Sequence, residues 1–239
     1  MKIILGILIF IIGTYAGSIA SSIVIRKTAD ESIIGKNHCM SCNAELSLIE
    51  RIPIISYIVQ HGRCKKCNEK ISNIYIIFEI TNGILWIPIY IRYNESIECI
   101  FYMLITTILL MISITDISSF EIPFEYNIAI YILTIVKMII LKQSVKSLGV
   151  FVVIPLILLV IYVVTNGKAM GGGDIKLEIA SSLILGMKWS IIQFYLAAFL
   201  AVIIHFSLVI FKVKGIDKNK LAFGPYLCAS LYLCICFIN

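Results

Sequence analysis

Apolar runs of a length that can cross a lipid bilayer recur along the whole chain, and nothing else in the sequence restricts its fold as strongly. A spanning helix needs about 20 predominantly apolar residues to match a hydrocarbon core roughly 30 Å thick. Apolar segments occupy residues 3–25, 74–93, 97–115, 126–141, 147–164, 175–187, 189–211 and 221–238. Of the 239 residues, 60% are hydrophobic and only 14% are charged, proportions that exclude an ordinary soluble domain. The expected fold is an all-α polytopic membrane protein with about eight transmembrane segments. One core of packed helices is expected, with one soluble insertion near the N-terminus. The segment 175–187 is the shortest, and omitting it would invert the orientation of everything after it.

The first run is longer than the apolar region of a signal peptide, and no small-residue cleavage pattern precedes a soluble body. It is therefore read as a retained helix. Net charge is +6, with Lys and Arg gathered in 26–73 and in 212–220. Short basic loops stay on the cytoplasmic side, so both segments are expected there, and both termini outside. This topology accounts for the basic residues without nucleic-acid binding. Contact with anionic lipid headgroups is a smaller role they can also fill.

Two Cys-x-x-Cys pairs, Cys39/Cys42 and Cys64/Cys67, lie 21 residues apart within 26–73. Each pair can grip one side of a tetrahedral Zn²⁺ and so close a small, loop-rich fold with little core. Four thiolates leave no open coordination position, which favours a structural zinc over a catalytic one. A redox dithiol would need one pair on a helix beside a sheet. Disulfides are disfavoured on a cytosolic loop. Cys99, Cys228, Cys234 and Cys236 fall in or beside apolar segments and serve as small apolar residues.

Two acidic residues stand at expected membrane edges. Asp116 ends the run 97–115, and Asp174 follows Gly171, Gly172 and Gly173. The only other aspartates, Asp30 and Asp217, lie in polar stretches. Ionisable groups next to the hydrocarbon are costly and mark functional positions. Two carboxylates held together share a proton, and the shared state suits peptide hydrolysis: one oxygen takes a proton from water while the protonated partner polarises the scissile carbonyl. Taken singly, Asp116 also reads as a helix-end residue meeting water, and Asp174 as a helix N-cap. Lys176 is placed to hold a substrate carbonyl, a partner carboxylate or a lipid phosphate. Glu178, one helical turn from Asp174, is placed to influence that residue.

These residues together resemble the type IV prepilin peptidase family, also called leader peptidase or prepilin N-methyltransferase. The resemblance runs through Gly17-Ser18 with Arg26, the four cysteines, Ile52-Pro53 with Ser56, Gly62-Arg63-Cys64, and Ile71-Ser72 with Tyr75 and Glu79. It continues through Asp116 with Ile122-Pro123, through Gly171-Gly172-Gly173-Asp174-Ile175-Lys176-Leu177, and through Phe223-Gly224-Pro225. The glycine–aspartate motif alone is shared with presenilin-like intramembrane proteases. The cysteine insertion and the Asp116-to-Pro123 spacing favour the prepilin family.

The resemblance implies a bacterial inner-membrane aspartic protease whose active site faces the cytoplasm. It would cleave the basic leader of prepilins or pseudopilins, with Asp116 and Asp174 at the catalytic positions. It also implies a division into residues 1–95 and 96–239, the second being the peptidase membrane core, and methylation of the new N-terminus with S-adenosylmethionine by the 1–95 part, where Glu79 matches an acidic family position. A buried Glu79 pairing with Arg26 or Lys70 is an equally available reading. Ser21, Ile76, Phe124 and Ala222 depart from common family residues, and the first two bear on methyl transfer. A peptidase that no longer methylates is the enzymatic alternative, and two other classes compete: a non-catalytic scaffold that docks a pilus or secretion assembly through its zinc module, and a transporter using the two aspartates as ion sites. The absence of a visible internal repeat counts against the transporter.

Overall fold

The computed structural model describes residues 2–33, 35, 37–142, 153–167, 171–210 and 221–237. The chain divides into two compact units, Met1–Glu95 and Ser96–Asn239. The basic loop expected at 212–220 and the first residues of the run 147–164 fall outside the described residues.

In the first unit the long helix α1 (Lys2–Thr28) and a second, shorter helix frame an insertion with little regular structure. The insertion contains a 3-10 turn (Ile49–Arg51) and the short helix α2 (Ile55–Val59). Helix α3 (Asn73–Tyr93) returns and continues through Pro88. Its start is capped by Ser72, whose hydroxyl accepts from the Ile74 N–H.

Small residues let α1 and α3 approach closely. A Cβ on Gly83 would lie 2.8 Å from the Phe10 ring, and one on Gly13 would lie 3.0 Å from the Gly83 Cα. Asn82 donates from Nδ2 to the Gly13 carbonyl at 2.8 Å, a bond made inside the apolar interior. In lipid, packing of this kind takes over from hydrophobic burial as the force that joins helices.

The second unit is a bundle of α4 (Ile97–Ser119), α5 (Phe124–Ile140), α6 (Val153–Val164), α7 (Gly172–Leu185), α8 (Met187–Ile210) and α9 (Gly224–Phe237). Lys137 is buried near the end of α5. Its Nζ donates to the Tyr102 hydroxyl of α4 at 2.8 Å and lies 4.6 Å from the same ring. This joins α5 to the opposite end of α4 from Asp116.

Among the described residues, α1, α3, α4 and α8 are long and apolar enough to cross a membrane. This is a membrane protein; by length alone the described helices support four crossings, and the expected count of about eight is not confirmed. Helices α5, α6, α7 and α9 have 17, 12, 14 and 14 described residues. At 1.5 Å per residue, 14 residues reach roughly 21 Å, short of the hydrocarbon thickness.

Three boundaries differ from the sequence expectation. Helix α4 runs through Asp116 to Ser119 because Ser118 and Ser119 return their hydroxyls to the Thr115 carbonyl, at 2.9 and 2.8 Å. Phe120 then stops it in the left-handed conformation, φ 55°. Asp116 therefore lies inside the final turn instead of at the helix edge. Helix α7 takes in Gly172 and Gly173, so Gly171 is the N-cap and Asp174 stands in the first turn. The break before α8 is at Gly186, φ 76°, and Met187 already belongs to α8.

Candidate active site and metal centre

Asp116 and Asp174 are brought together in the second unit. Asp116 comes from the last turn of α4 and Asp174 from the first turn of α7. Both are buried, 5% and 9% exposed, and their carboxyl groups are near enough to interact electrostatically.

Each carboxyl is held by a backbone amide at a helix start. The Gly224 N–H, at the head of α9, donates to Asp116 Oδ2 at 2.9 Å. The Gly171 N–H donates to the Asp174 carboxyl, as the third residue of a helix often reaches back to its cap. Helix N-termini carry unsatisfied N–H groups and a positive dipole end, so two helices point donors at the pair.

Glycine is required where these starts converge on Ile122. A Cβ on Gly173 would fall 2.9 Å from the Ile122 Cβ. One on Gly224 would fall 2.8 Å from Asp116 Oδ2 and 3.1 Å from the Ile122 Cδ1. Ile122 thus wedges between α7 and α9, and Pro123 caps α5 behind it. The role of Gly224 as the Asp116 donor was not visible in the sequence. The signal available was Phe223-Gly224-Pro225 opening an apolar run, since proline favours a first helical turn.

Lys176 lies with its Nζ 4.7 Å from the centre of the Phe124 ring. Its carbonyl accepts from the Tyr131 hydroxyl. Gly172 has open space beside it, with only the Tyr162 ring at 4.0 Å.

The first unit contains a cavity of about 400 Å³ bordered by Ser18, Arg26, Tyr57, Tyr75 and Glu79. Its volume lies within the roughly 300–1,000 Å³ of small-molecule sites. Arg26 is stapled to the following loop through the carbonyls of Ile33 (3.0 Å) and Gly35 (3.3 Å) and Asn37 Oδ1 (3.2 Å).

Glu79 is buried, and its Oε2 accepts from the Ile54 N–H at 2.7 Å, with the Ser18 hydroxyl alongside. This bond, more than an ion pair with Arg26 or Lys70, is what the structure provides for it. Ile54 has φ 62° and ψ −54°, and the Ile55 N–H closes onto the Pro53 carbonyl at 2.6 Å. That is a γ-turn with positive central φ, rare and strained, and most unusual for a β-branched residue. The Glu79 carboxylate anchors the strained amide.

The four insertion cysteines converge. Their Sγ atoms all lie within 4.8 Å of one another, with Cys39–Cys67 at 3.8 Å and Cys42–Cys64 at 4.0 Å. A tetrahedral ion with metal–sulfur bonds of about 2.3 Å needs sulfur–sulfur edges near 3.8 Å, so the cluster fits a metal such as zinc.

The two halves are built alike. The Cys39 N–H donates to Ala44 O and the Cys64 N–H to Glu69 O, at 3.0 and 2.9 Å, while the Asn43 and Asn68 amides return to Cys39 O and Cys64 O. Asn43 and Asn68 both have positive φ, 54° and 61°, a conformation asparagine tolerates. An asparagine directly after each Cys-x-x-Cys was a readable sign of paired knuckles. The Cys67 and Lys66 backbone N–H groups lower the Cys64 thiol to about 7, which favours the thiolate a metal needs. Beside the knuckles, the Ser47 N–H and hydroxyl both donate to Glu50 at 2.8 Å.

Two family models match successive stretches of the chain: the Bacterial Peptidase A24 N-terminal domain over residues 11–93, and the Type IV leader peptidase family over residues 103–206. Similar curated proteins carry the name prepilin leader peptidase/N-methyltransferase. The one from Bacillus subtilis is 28% identical, covering 95% of this chain and 92% of its own length. Those from Vibrio cholerae and Legionella pneumophila are 25% and 24% identical, covering 85% and 82% of this chain and 86% and 70% of the relatives. No solved structure matches the chain.

Proposed function

The chain belongs to the type IV leader peptidase family, and on that premise we propose that it removes the leader peptide of type IV prepilins or pseudopilins with Asp116 and Asp174 as the catalytic pair. The observation that carries this reading is the convergence of the two buried carboxyls, each steadied by a helix-terminal N–H. The pair holds one proton between its members. The ionised member takes a proton from the attacking water, and the protonated member donates to the scissile carbonyl. Neither step needs a covalent intermediate. The site serves the cytoplasmic face of a bacterial inner membrane, and the substrate enters as a basic leader followed by an apolar helix. The processed subunits feed a pilus or secretion assembly.

The first unit is assigned the second activity in the relatives' name, methylation of the new N-terminal amine. S-adenosylmethionine, as the donor, would supply an electrophilic methyl group. The cavity of about 400 Å³ suits a ligand of that size, and Glu79 places a carboxylate beside a cationic ligand or the amine. The four cysteines hold a structural zinc that shapes this insertion.

The test is a reconstituted reaction. Purified protein, a peptide spanning a prepilin leader and the start of its apolar helix, and S-adenosylmethionine are combined, and products are followed by mass. Leader release followed by a one-methyl mass gain supports both activities. Release without the gain limits the function to the peptidase, and no release from any of a panel of prepilin peptides contradicts the proposal.

A further inference from the structure

Behind the carboxyl pair lies a polar cluster that the hydrolysis itself does not use. Glu178 stands one turn along α7 from Asp174, with no exposed surface; neither of its carboxyl oxygens makes a hydrogen bond of full geometry among the described residues, although the Gln193 side chain lies within bonding reach. Gln193 of α8 lies beside it, equally buried, and its Oε1 is also unpartnered. The other end of the Gln193 amide is committed to α9: Nε2 donates to Ser230 Oγ at 2.9 Å and to Leu227 O at 3.3 Å. Ser230 in turn donates to Leu227 O at 2.9 Å. Leu227 is one turn along α9 from Gly224, the residue that holds Asp116.

An unpaired amide and carboxyl facing each other inside a membrane protein cost several kcal/mol in principle, so such groups pair. Two arrangements are available. A protonated Glu178 donates to Gln193 Oε1, or the amide turns over, accepts from Ser230 and donates Nε2 to Glu178. Amide orientation is set by its network, and in both arrangements one hydrogen bond passes between Glu178 and Gln193.

We infer that Glu178 is a positioning residue for the peptidase site: through Gln193 it ties α7, one turn below Asp174, to α9, one turn below Gly224, and so sets the separation of the two aspartates. With the amide as placed the path runs Asp174–Glu178–Gln193–Leu227–Gly224–Asp116, and with it turned over Ser230 takes the place of Leu227; in both it is closed by the Gly224 amide bond. The inference rests on the Asp116–Asp174 reading above. A simple filling role makes a different forecast, because an apolar residue of similar size in place of a buried polar one is neutral or stabilising.

The experiment measures kcat and KM for leader cleavage by the full-length protein in wild type, Glu178→Gln, Glu178→Leu, Gln193→Leu and the double Leu variant, with thermal melting in detergent alongside. Asp174→Asn is the control for the underlying reading; cleavage that survives it removes that reading and leaves Glu178 without a site to position. Glu178→Gln keeps a head that both donates and accepts and is expected within about twofold of wild type. Each Leu variant is expected to lose kcat by about tenfold or more at little-changed KM, since displacements near 1 Å cost up to about a hundredfold. The double variant is expected to lose no more than Gln193→Leu alone, because that change already removes the bond to Glu178 along with the bonds to Ser230 and Leu227. Glu178→Leu or Gln193→Leu cleaving like wild type overturns the inference. So does Glu178→Gln falling as far as Glu178→Leu. If Glu178→Leu does not fold, Gln193→Leu and Glu178→Gln decide it alone.

Discussion

The amide of Gly224 reaches the carboxyl of Asp116 at 2.9 Å across 108 positions of sequence. This bond fixes one catalytic candidate to the start of a helix that carries no acidic residue of its own. It also explains why a glycine is needed there, since any Cβ would fall 2.8 Å from the same oxygen. Gly224→Ala is expected to push the carboxyl from its place and lower kcat for leader cleavage by about a hundredfold, with a smaller change in KM. Kinetics on a prepilin peptide checks this, and an alanine variant with wild-type kcat would refute it.

The cysteine cluster gives a separable outcome. Cys39→Ser or Cys64→Ser should lower bound metal from about one per chain towards none, and a strong chelator should do the same, because small thiolate sites fold with their ion. Methylation is expected to disappear and leader cleavage to persist. Metal analysis beside product masses reads both effects.

Glu79 and Ile54 form a second testable pair. Glu79→Ala frees the Ile54 amide from a charge-assisted bond worth about 1.5–3 kcal/mol, and the γ-turn beside the cavity should relax. Methylation is expected to fall while cleavage continues. Ile54→Gly in the same chain should restore part of the methylation if Glu79 acts by holding the turn, since glycine adopts φ 62° without support. Failure of that rescue would assign Glu79 a direct part in methyl transfer. Methyl incorporation in the single and double variants separates the two.

The contact between α1 and α3 can be probed without touching either site. Gly83→Leu forces a side chain into the Phe10 ring and Thr14, 2.8 and 2.9 Å from the new Cβ. Overpacking of this sort costs about 1–3 kcal/mol or more. Faster proteolysis of the first unit is the expected result, with the peptidase unit unchanged.

The candidate acids and the cysteine cluster were clearer in the sequence than the scaffold around them. Asp116 and Asp174 stood out because acidic residues beside apolar runs are rare, and the four cysteines because their spacing has few other uses. Gly224 was quoted only as part of a motif, since a backbone donor leaves no chemical mark in the sequence and its target lies in a distant helix. The end of α4 was misplaced because Ser118 and Ser119 look like loop residues, yet they bond back to Thr115 and prolong the helix. The span count stayed open for a related reason: hydropathy finds apolar runs, whereas α7 and α9 are set by glycine starts and tertiary packing.

The most direct test of the central claim is co-expression with a cognate prepilin followed by intact mass of the pilin, for wild type, Asp116→Asn and Asp174→Asn. The account predicts loss of the leader mass with wild type and an uncut prepilin with each variant at equal protein level. Leader loss in both variants would contradict the catalytic pair.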